Sequence, residues 1–453
     1  MIHPVTDLEV AHRRFTWRRL LFGAVGTTVA TNALILAVNL GSGIVLARSL
    51  GPSDRGILAA AILWPAMLAS TGSLGVAEGV TYLSGKEGGD TSPILSSALA
   101  FGAVQSLALM LLGTLLLPLL LVGNAAMALS AALLYLWLIP LNLLTQYGIG
   151  LLQGRTNLSA FNVARLSLHI AYTALIIALW FQKAVTVRSA VTASLAAWAV
   201  SAVLTLWLIA RRGYWFWGFD LARVRDLISF GVKLHIGNVA TILAAKLDIV
   251  VLTFFASAGS LGIYVVAGTV GPVVGLVPGA LAMVLYPKSV RSSTANRRVI
   301  LARLLLIGLI VTILASPAMI VVLPRLIPLV FGEAFGPAVP VAELLVLGYL
   351  FRGYAGMLVA MVRGAGRPLL ASIGQTVGLV LLLLCLVILT KRSGVIGAAT
   401  AVTLSAAALL IWMVIQACVM SETGPAQLWR LWKADLQLVA GFARTRRLGK
   451  KAK

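Results

Sequence analysis

Apolar runs of about twenty or more residues recur from residue 20 to residue 419, and this feature restricts the fold more than any other. A helix of roughly 20 apolar residues crosses a bilayer core about 30 Å thick. Only helices and closed barrels satisfy their backbone polar groups in lipid, and these runs are continuous rather than alternating. The chain is 60% hydrophobic and 11% charged, whereas a soluble protein has about 25% charged residues. We therefore expect an all-α polytopic membrane protein.

The runs predict about twelve transmembrane helices. Their approximate limits in chain order are 20–47, 56–84, 93–117, 127–150, 158–181, 186–210, 227–256, 260–286, 300–323, 341–362, 369–389 and 395–419. The first run is too long for the core of a signal peptide and lacks a small-residue cleavage site, so we expect it to remain as a span.

Basic residues orient these spans. Most of the 36 Lys and Arg residues lie on the side of the N-terminus, including groups around Arg13, Arg211 and Lys288. The loops on the opposite side hold only Arg48, Arg55, Lys183, Arg188, Arg325, Lys391 and Arg392. Because Lys and Arg are retained in cytoplasmic loops, both termini are predicted to be cytoplasmic. The same asymmetry accounts for the net charge of +23 without nucleic acid as a partner.

The predicted organisation has five parts. They are a cytoplasmic segment at 1–19, an N-lobe of helices 1–6 at 20–210, a cytoplasmic linker at 211–226, a C-lobe of helices 7–12 at 227–419 and a basic tail at 420–453. In the tail, Trp429 and Trp432 precede a basic end and predict an interfacial amphipathic helix on anionic lipid. A docking tail for a partner protein is the alternative.

Several classes of function lack their sequence signatures. No predicted loop exceeds about 20 residues, whereas a folded catalytic domain needs at least about 50. The sequence has no phosphate-binding glycine loop, nucleophile elbow or paired Cys/His spacing. Its two cysteines, Cys385 and Cys418, lie inside apolar runs and predict neither a disulfide framework nor a metal site. We therefore expect a protein that is not an enzyme.

A weak internal repeat relates the two halves of the chain. The segment from Gly43 to Ala61 falls without a gap on the segment from Ile249 to Ala267, at a shift of 206 positions. Gly154-Arg155 and Gly366-Arg367 match at a shift of 212. These matches indicate six plus six helices, related by an axis along the membrane normal, with a cavity between the lobes. Chance similarity of glycine- and valine-rich sequence is the alternative.

The short loops between spans, which we call joins, also carry a family resemblance. Residues 47–56 (ARSLGPSDRG) resemble the "LAR-LGP--RG" join of polysaccharide biosynthesis flippases. Further matches are Asp248-Ile249-Val250-Val251-Leu252, Leu261-Gly262-Ile263-Tyr264, Leu276 to Ala280 with Tyr286-Pro287, Arg363 to Pro368, and Gly394 to Ala399. Over almost the whole chain the sequence is similar to the Wzx-type oligosaccharide flippases of the multidrug/oligosaccharidyl-lipid/polysaccharide exporter superfamily.

The resemblance implies two six-helix lobes that work by alternating access in the bacterial inner membrane. It implies transfer of a polyprenyl-diphosphate-linked oligosaccharide to the outer leaflet, for surface lipopolysaccharide or exopolysaccharide. Membrane lipids and other polysaccharide assembly proteins are the expected partners. The expected cofactors are none, with H⁺ or Na⁺ as candidate coupling ions. Span 20–47 lacks the acidic residue that cation-coupled multidrug exporters commonly carry there, and lipid II flippases usually have fourteen helices. A small-molecule exporter of the same fold, a membrane polysaccharide polymerase or ligase, and a non-transporting scaffold remain alternatives.

Charged residues inside the spans are the candidate site. Each costs about 2.5–3.5 kcal/mol at the bilayer centre, so such residues normally face a cavity or a partner. A diphosphate needs opposite charge, and Arg offers a bidentate fork. The candidate cavity cations are Arg165, Lys233, Lys246 and Arg352. Snorkelling of Arg165 and Lys233, and an ion pair or carbonyl clamp at Arg352, are the alternatives.

Two further groups complete the candidate site. Glu78 and Asp248 are candidates for binding a coupling H⁺ or Na⁺, or for acting as counter-ions. His169 and His235 are candidate titrating residues, with a satisfied buried histidine as the alternative. Pro65, Pro272 and Pro278 are predicted hinges, because proline removes a backbone bond and kinks a helix. Close packing of these helices alone is the alternative.

Overall fold

The computed structural model describes residues 24–86, 92–214, 218–290, 294–424, 426–427 and 429–433. The predicted N-terminal segment at 1–19, part of the linker and the basic end of the tail lie outside these residues. The described chain is mainly helical, and it contains no strand. The all-α prediction is therefore confirmed.

Thirteen α-helices follow one another in the part of the chain that the structure describes. They are α1 (Ala24–Gly72), α2 (Val76–Lys86), α3 (Ser92–Leu120), α4 (Leu129–Tyr135), α5 (Leu138–Gly154), α6 (Leu158–Phe181), α7 (Val187–Arg211), α8 (Leu221–Phe255), α9 (Ala258–Gly268), α10 (Gly271–Val290), α11 (Thr294–Phe331), α12 (Ala338–Gly364) and α13 (Pro368–Met420). Short 3₁₀ turns cover Gly123–Ala128 and Glu333–Phe335.

The described residues of all twelve predicted spans fall mainly on helical segments. By length and composition, seven helices of the described chain are able to cross a membrane, or nine if each of two bent pairs forms one span. Two of the seven, α1 and α13, contain a backbone break. The helix α13 covers two predicted spans, and α1 covers the described part of the first span and the beginning of the second. The helix α8 is not among the seven, and Lys233, Lys246 and Asp248 interrupt its apolar sequence. The chain is a multi-pass membrane protein.

Local sequence explains where several helices start and stop. Gly51 has a φ of 68°, a conformation that costs glycine little, and it separates the first two predicted spans within α1. The side chains of Asn157, Thr186 and Ser257 cap the first turns of α6, α7 and α9. Each cap satisfies a backbone N–H that the helix leaves free. All four residues lie at predicted joins between spans.

The second predicted span breaks at a place that the sequence does not mark with proline. Pro65 lies buried within continuous helix, whereas the break between α1 and α2 comes at Leu74 and Gly75, which have φ values of 53° and 70°. The break frees the carbonyl groups at the end of α1. Gln105 Nε2 donates to the carbonyl of Gly72 at 2.7 Å, and His235 Nε2 lies 2.7 Å from the carbonyl oxygen of Thr71. Side chains from α3 and α8 thus replace the lost helical bonds.

The helices group into two compact units. The first comprises the chain up to Ser42 with Trp64–Leu117 and Ser130–Ile242, and the second comprises Gly43–Leu63, Pro118–Leu129 and the chain from Leu243. Because the units do not follow chain order, the lobes predicted at 20–210 and 227–419 stay a prediction.

Close backbone packing holds each unit. In the first, α2 packs on α5 so tightly that a Cβ on Gly150 would lie 2.6 Å from the carbonyl oxygen of Ala77. In the second, α12 packs on α13, and Thr403 Oγ1 donates to the carbonyl of Leu344 at 2.7 Å. Small residues at such contacts are the usual basis of helix packing in membranes.

Contacts between loops agree with the predicted alternation of spans. In the first unit, the backbone N–H of Asp220 donates to Ser97 Oγ at 2.9 Å. In the second, Arg298 donates to the carbonyl of Ser421 at 2.6 Å and to the Glu422 carboxylate at 2.7 Å. Each contact connects two segments that the twelve-span topology puts on the same side of the membrane. The cytoplasmic orientation itself stays a prediction.

Candidate functional site

A charged cavity of about 250 Å³ lies within the second unit. It is walled by α8, α9, α12 and α13, with Pro272 at the start of α10. The predicted site residues Lys246, Asp248 and Arg352 all line it. Lys246 and Asp248 are two positions apart on α8, a spacing that puts side chains on different faces of a helix. The structure nevertheless brings both to one cavity.

A tyrosine holds the cavity carboxylate. The hydroxyl of Tyr264, on α9, donates to Asp248 Oδ2 at 2.6 Å, and the backbone N–H of Ile249 donates to Oδ1 at 2.9 Å. Tyr264 is only 2% exposed, so this bond lies away from bulk water. A charged residue in an apolar run normally has a partner, and Asp248 finds this partner in Tyr264 on another helix.

The two cavity cations outnumber the carboxylate beside them. Neither Lys246 nor Arg352 forms an ion pair with any residue that the structure describes. Both side chains are exposed. Since the pair carries two positive charges against one carboxylate, the cavity offers net positive charge and an Arg fork to an anionic group.

In the first unit, Arg165 and His169 face polar side chains of α1. Arg165 Nη2 donates to Asn32 Oδ1 at 3.0 Å, and its guanidinium lies 5.2 Å from the ring centre of Phe161. His169 Nδ1 lies 2.8 Å from Asn39 Oδ1. These neutral partners leave the charge of Arg165 unbalanced, and no described carboxylate forms an ion pair with it. The two residues are four positions apart and therefore share one face of α6.

The other predicted residues of this unit lie away from Arg165 and His169 and have different surroundings. Lys233 is exposed on α8. His235 is buried and contacts the carbonyl of Thr71 at the α1–α2 break, which fits a satisfied buried histidine. Glu78 is half-buried in the first turn of α2, where the helix dipole stabilises a negative charge.

The prolines differ in their surroundings. Pro272 follows a break in the eighth predicted span, because α9 ends at Gly268 and α10 begins at Gly271. Pro278 is buried inside α10, and Pro65 is buried inside α1. Their roles as hinges stay a prediction.

Sequence reasoning missed the neutral partners of the charged residues. Tyr264 and Tyr349 line the cavity of the second unit, and Asn32 and Asn39 contact Arg165 and His169 in the first. One signal was present: Asp248 and Tyr264 lie eight positions before and after Ala256 at the join of spans seven and eight. Residues equally far from a hairpin join lie opposite each other.

The described chain is thus a multi-pass membrane protein with a charged cavity walled by its helices. The polysaccharide biosynthesis protein family matches residues 25–293. This match covers more than half of the sequence, so the chain belongs to that family. No curated protein sequence matches the chain.

Solved transporters share the fold. The lipid II flippase MurJ in an inward closed conformation is 14% identical, with a TM-score of 0.69 and coverage of 92% of both chains. A multidrug resistance MATE family transporter of the MOP superfamily, inward-facing, is 15% identical, with a TM-score of 0.66 and coverage of 86% of this chain and 96% of that one. The MATE multidrug transporter DinF-BH is 17% identical, with a TM-score of 0.60 and coverage of 88% and 95%. At these identities the likeness shows the fold alone. The fold that the resemblance implies is confirmed, and the solved proteins that share it are a flippase and multidrug transporters.

Proposed function

We propose that the chain is a flippase that moves a polyprenyl-diphosphate-linked oligosaccharide across the bacterial inner membrane for surface polysaccharide biosynthesis. The observation that carries the proposal is the presence of two cations, Lys246 and Arg352, in a cavity of the second unit where neither forms an ion pair with a described residue. Within an apolar helix such charges are costly unless they serve a ligand. The family and the fold support a transported cargo as that ligand.

The size of the cavity limits what it binds. Drug-sized ligands occupy pockets of about 300–1,000 Å³, and this cavity measures about 250 Å³. It accommodates a charged headgroup rather than a whole lipid-linked oligosaccharide. A diphosphate suits it, because the Arg352 guanidinium binds phosphate oxygens through two donors and Lys246 adds a point charge. We propose that Arg165 and Lys233 contact the same headgroup at another stage of its passage.

The acidic residues provide a means of coupling. We propose that Asp248 and Glu78 either bind a coupling H⁺ or Na⁺ or neutralise the cavity cations when no cargo is bound. Asp248→Asn separates the two roles, because it keeps the hydrogen bond from Tyr264 and removes the charge. If Asp248 binds the ion, transfer by this variant no longer responds to an imposed H⁺ or Na⁺ gradient.

The decisive experiment uses a deletion strain complemented with variants. Surface polysaccharide and the sidedness of the polyprenyl-diphosphate-linked unit are measured together. We expect the deletion to lose surface glycan and to accumulate the lipid-linked unit on the cytoplasmic face. Arg352→Ala and Lys246→Ala should fail to restore it, whereas Arg363→Ala should succeed. Arg363 is the matched control, because it lies on α12 but contacts Gln375 outside the cavity.

A small-molecule exporter of the same fold is the second candidate, favoured by one observation. The Asp248 carboxylate in the cavity offers a binding group for a cationic compound. In proteoliposomes, a polyprenyl diphosphate should compete with transfer and a polyprenyl monophosphate should compete less, if the flippase proposal is correct. Normal delivery of lipid-linked units in the deletion, together with efflux of cations by the protein, would favour the exporter.

A further inference from the structure

Two glycines that the internal repeat makes equivalent lie against each other in the second unit. Gly56 opens the second predicted span, and Gly262, 206 positions later, opens the eighth. A Cβ added to Gly56 would lie 2.9 Å from the backbone nitrogen of Gly262, and one added to Gly262 would lie 2.9 Å from that of Gly56. The two positions therefore make the same contact with each other, as a two-fold axis between repeats requires.

Backbone carbonyls complete this reciprocal contact. A Cβ on Gly56 would overlap the carbonyl oxygen of Ala258, and a Cβ on Gly262 would overlap that of Pro52. Pro52 and Ala258 are themselves 206 positions apart. The two helices thus meet backbone to backbone, at a distance that only glycine permits at both positions. We call this contact, formed by residues 52–56 and 258–262, the glycine crossing.

The crossing leaves almost no space beside it. The adjoining void has a volume of about 10 Å³, and the residues that line it besides the crossing itself are Ile57, Ala60, Ala128, Thr253 and Ala256. A cavity needs about 10–15 Å³ to hold one water molecule. Thr253 is 2% exposed and Ala128 is fully buried. No file of water molecules, and no polar headgroup, passes through a contact of this kind.

An arginine ties the same join to another helix. Arg48 Nε donates to the carbonyl of Val330 at 2.8 Å, and its Nη2 donates to the carbonyl of Leu329. These carbonyls end α11, where the helix leaves acceptors without partners and carries partial negative charge. Arg48 is exposed, so the bonds are accessible to competition from water. The hydrogen bonds of Arg48 to α11 therefore lie in the same join as the apolar contact of the glycine crossing.

We propose that the glycine crossing is the seal that closes the transport path on the side of the membrane where spans one and two, seven and eight, and nine and ten join. Arg48 is its latch. Opening towards that side, which the charge distribution predicts to be the outer side, requires Gly56 and Gly262 to separate and Arg48 to release α11. This inference rests on the proposed function only in requiring a transporter with alternating access.

Cysteine labelling tests the seal without any substrate. In a background with Cys385→Ser and Cys418→Ser, a reporter Thr253→Cys next to the crossing is exposed to a membrane-impermeant maleimide. We expect slow labelling in the parent and about tenfold faster labelling with Gly56→Ala or Gly262→Ala. The double variant should be no faster than either single one, because both changes separate the same contact. Gly43→Ala is the matched control, since a Cβ there meets open space.

Further variants separate a seal from general loosening. Arg48→Ala should speed labelling and Arg48→Lys should do so less, because Lys keeps one donor to the carbonyls. A second reporter, Thr205→Cys, is fully buried in the first unit and should stay unlabelled in every variant. Unchanged labelling of Thr253→Cys in both glycine variants overturns the proposal, as does equal labelling of the two reporters in the glycine and Arg48 variants. If the labelling pattern holds while purified protein fails to transfer polyprenyl-diphosphate oligosaccharide, the seal stands and the proposed cargo is wrong.

Discussion

The hydrogen bond between Tyr264 and Asp248 yields a quantitative prediction. Tyr264→Phe removes one hydroxyl and leaves the buried ring in place. The bond measures 2.6 Å, and its acceptor lies beside two cations in a cavity. A hydrogen bond to a charged group contributes about 1.5–3 kcal/mol. At about 1.4 kcal/mol per tenfold change, the ratio of folded to unfolded protein should fall by about 10- to 150-fold.

A double-mutant cycle with Asp248→Ala, which removes the acceptor, isolates this pair. The free energy of unfolding is measured for the four proteins by titration with SDS in mixed micelles, and the coupling energy should reach about 1.5–3 kcal/mol. Tyr135→Phe with Ser194→Ala is the neutral comparison, since the buried Tyr135 and Ser194 hydroxyls lie 2.9 Å apart. Neutral side-chain bonds between membrane helices average about 0.6 kcal/mol. If the two cycles give the same coupling energy, the reasoning that Asp248 accepts as a charged group is wrong.

Three further changes test other contacts. Tyr147→Phe leaves Gln105 Oε1 without its 2.6 Å donor. It should lower the free energy of unfolding by about 0.6–1.7 kcal/mol in the same SDS titration. An unchanged free energy of unfolding would show that this bond does not stabilise the α1–α2 break. Arg165→Gln should slow oligosaccharide transfer about tenfold, whereas Asn32→Ala, which keeps the charge, should slow it less than about threefold; equal losses would assign Arg165 to packing. Trp432→Phe removes the 2.7 Å bond to the carbonyl of Ala302, worth about 1 kcal/mol, and should raise limited proteolysis after α13 about fivefold; an unchanged rate would show that the bond does not hold the tail.

The spans were predictable because one physical requirement decides them. Each run had to be long and apolar enough to cross lipid as a helix, and the sequence states both properties directly. The break at Leu74 and Gly75 was not predictable in the same way. A proline such as Pro65 costs one backbone bond, which the rest of a buried helix tolerates. The chain instead breaks where two residues adopt positive φ, and side chains from distant helices satisfy the freed carbonyls.

The charged site residues were predictable for a similar reason, and their neutral partners were not. A charge in an apolar run is conspicuous, so Lys246, Asp248 and Arg352 were identified from cost alone. Tyrosine and asparagine occur in membrane helices for many reasons, and nothing in the run marks Tyr264 or Asn32 as a contact. Their roles depend on which helices pack together, which a single sequence states only weakly.

The repeat explains why the seal is symmetric while the cavity is not. The shift of 206 positions that relates Gly56 to Gly262 relates Leu40, Ser42 and Leu58 to Lys246, Asp248 and Tyr264. The first half therefore has no counterpart of this charged group; Ser42 donates to the carbonyl of Asn39 in its own helix, and Leu58 is fully buried. Close backbone contact admits only glycine at both crossing positions. Replacement of the glycine in either half therefore disrupts the seal. The charged residues of this cavity, in contrast, all come from the second half of the chain.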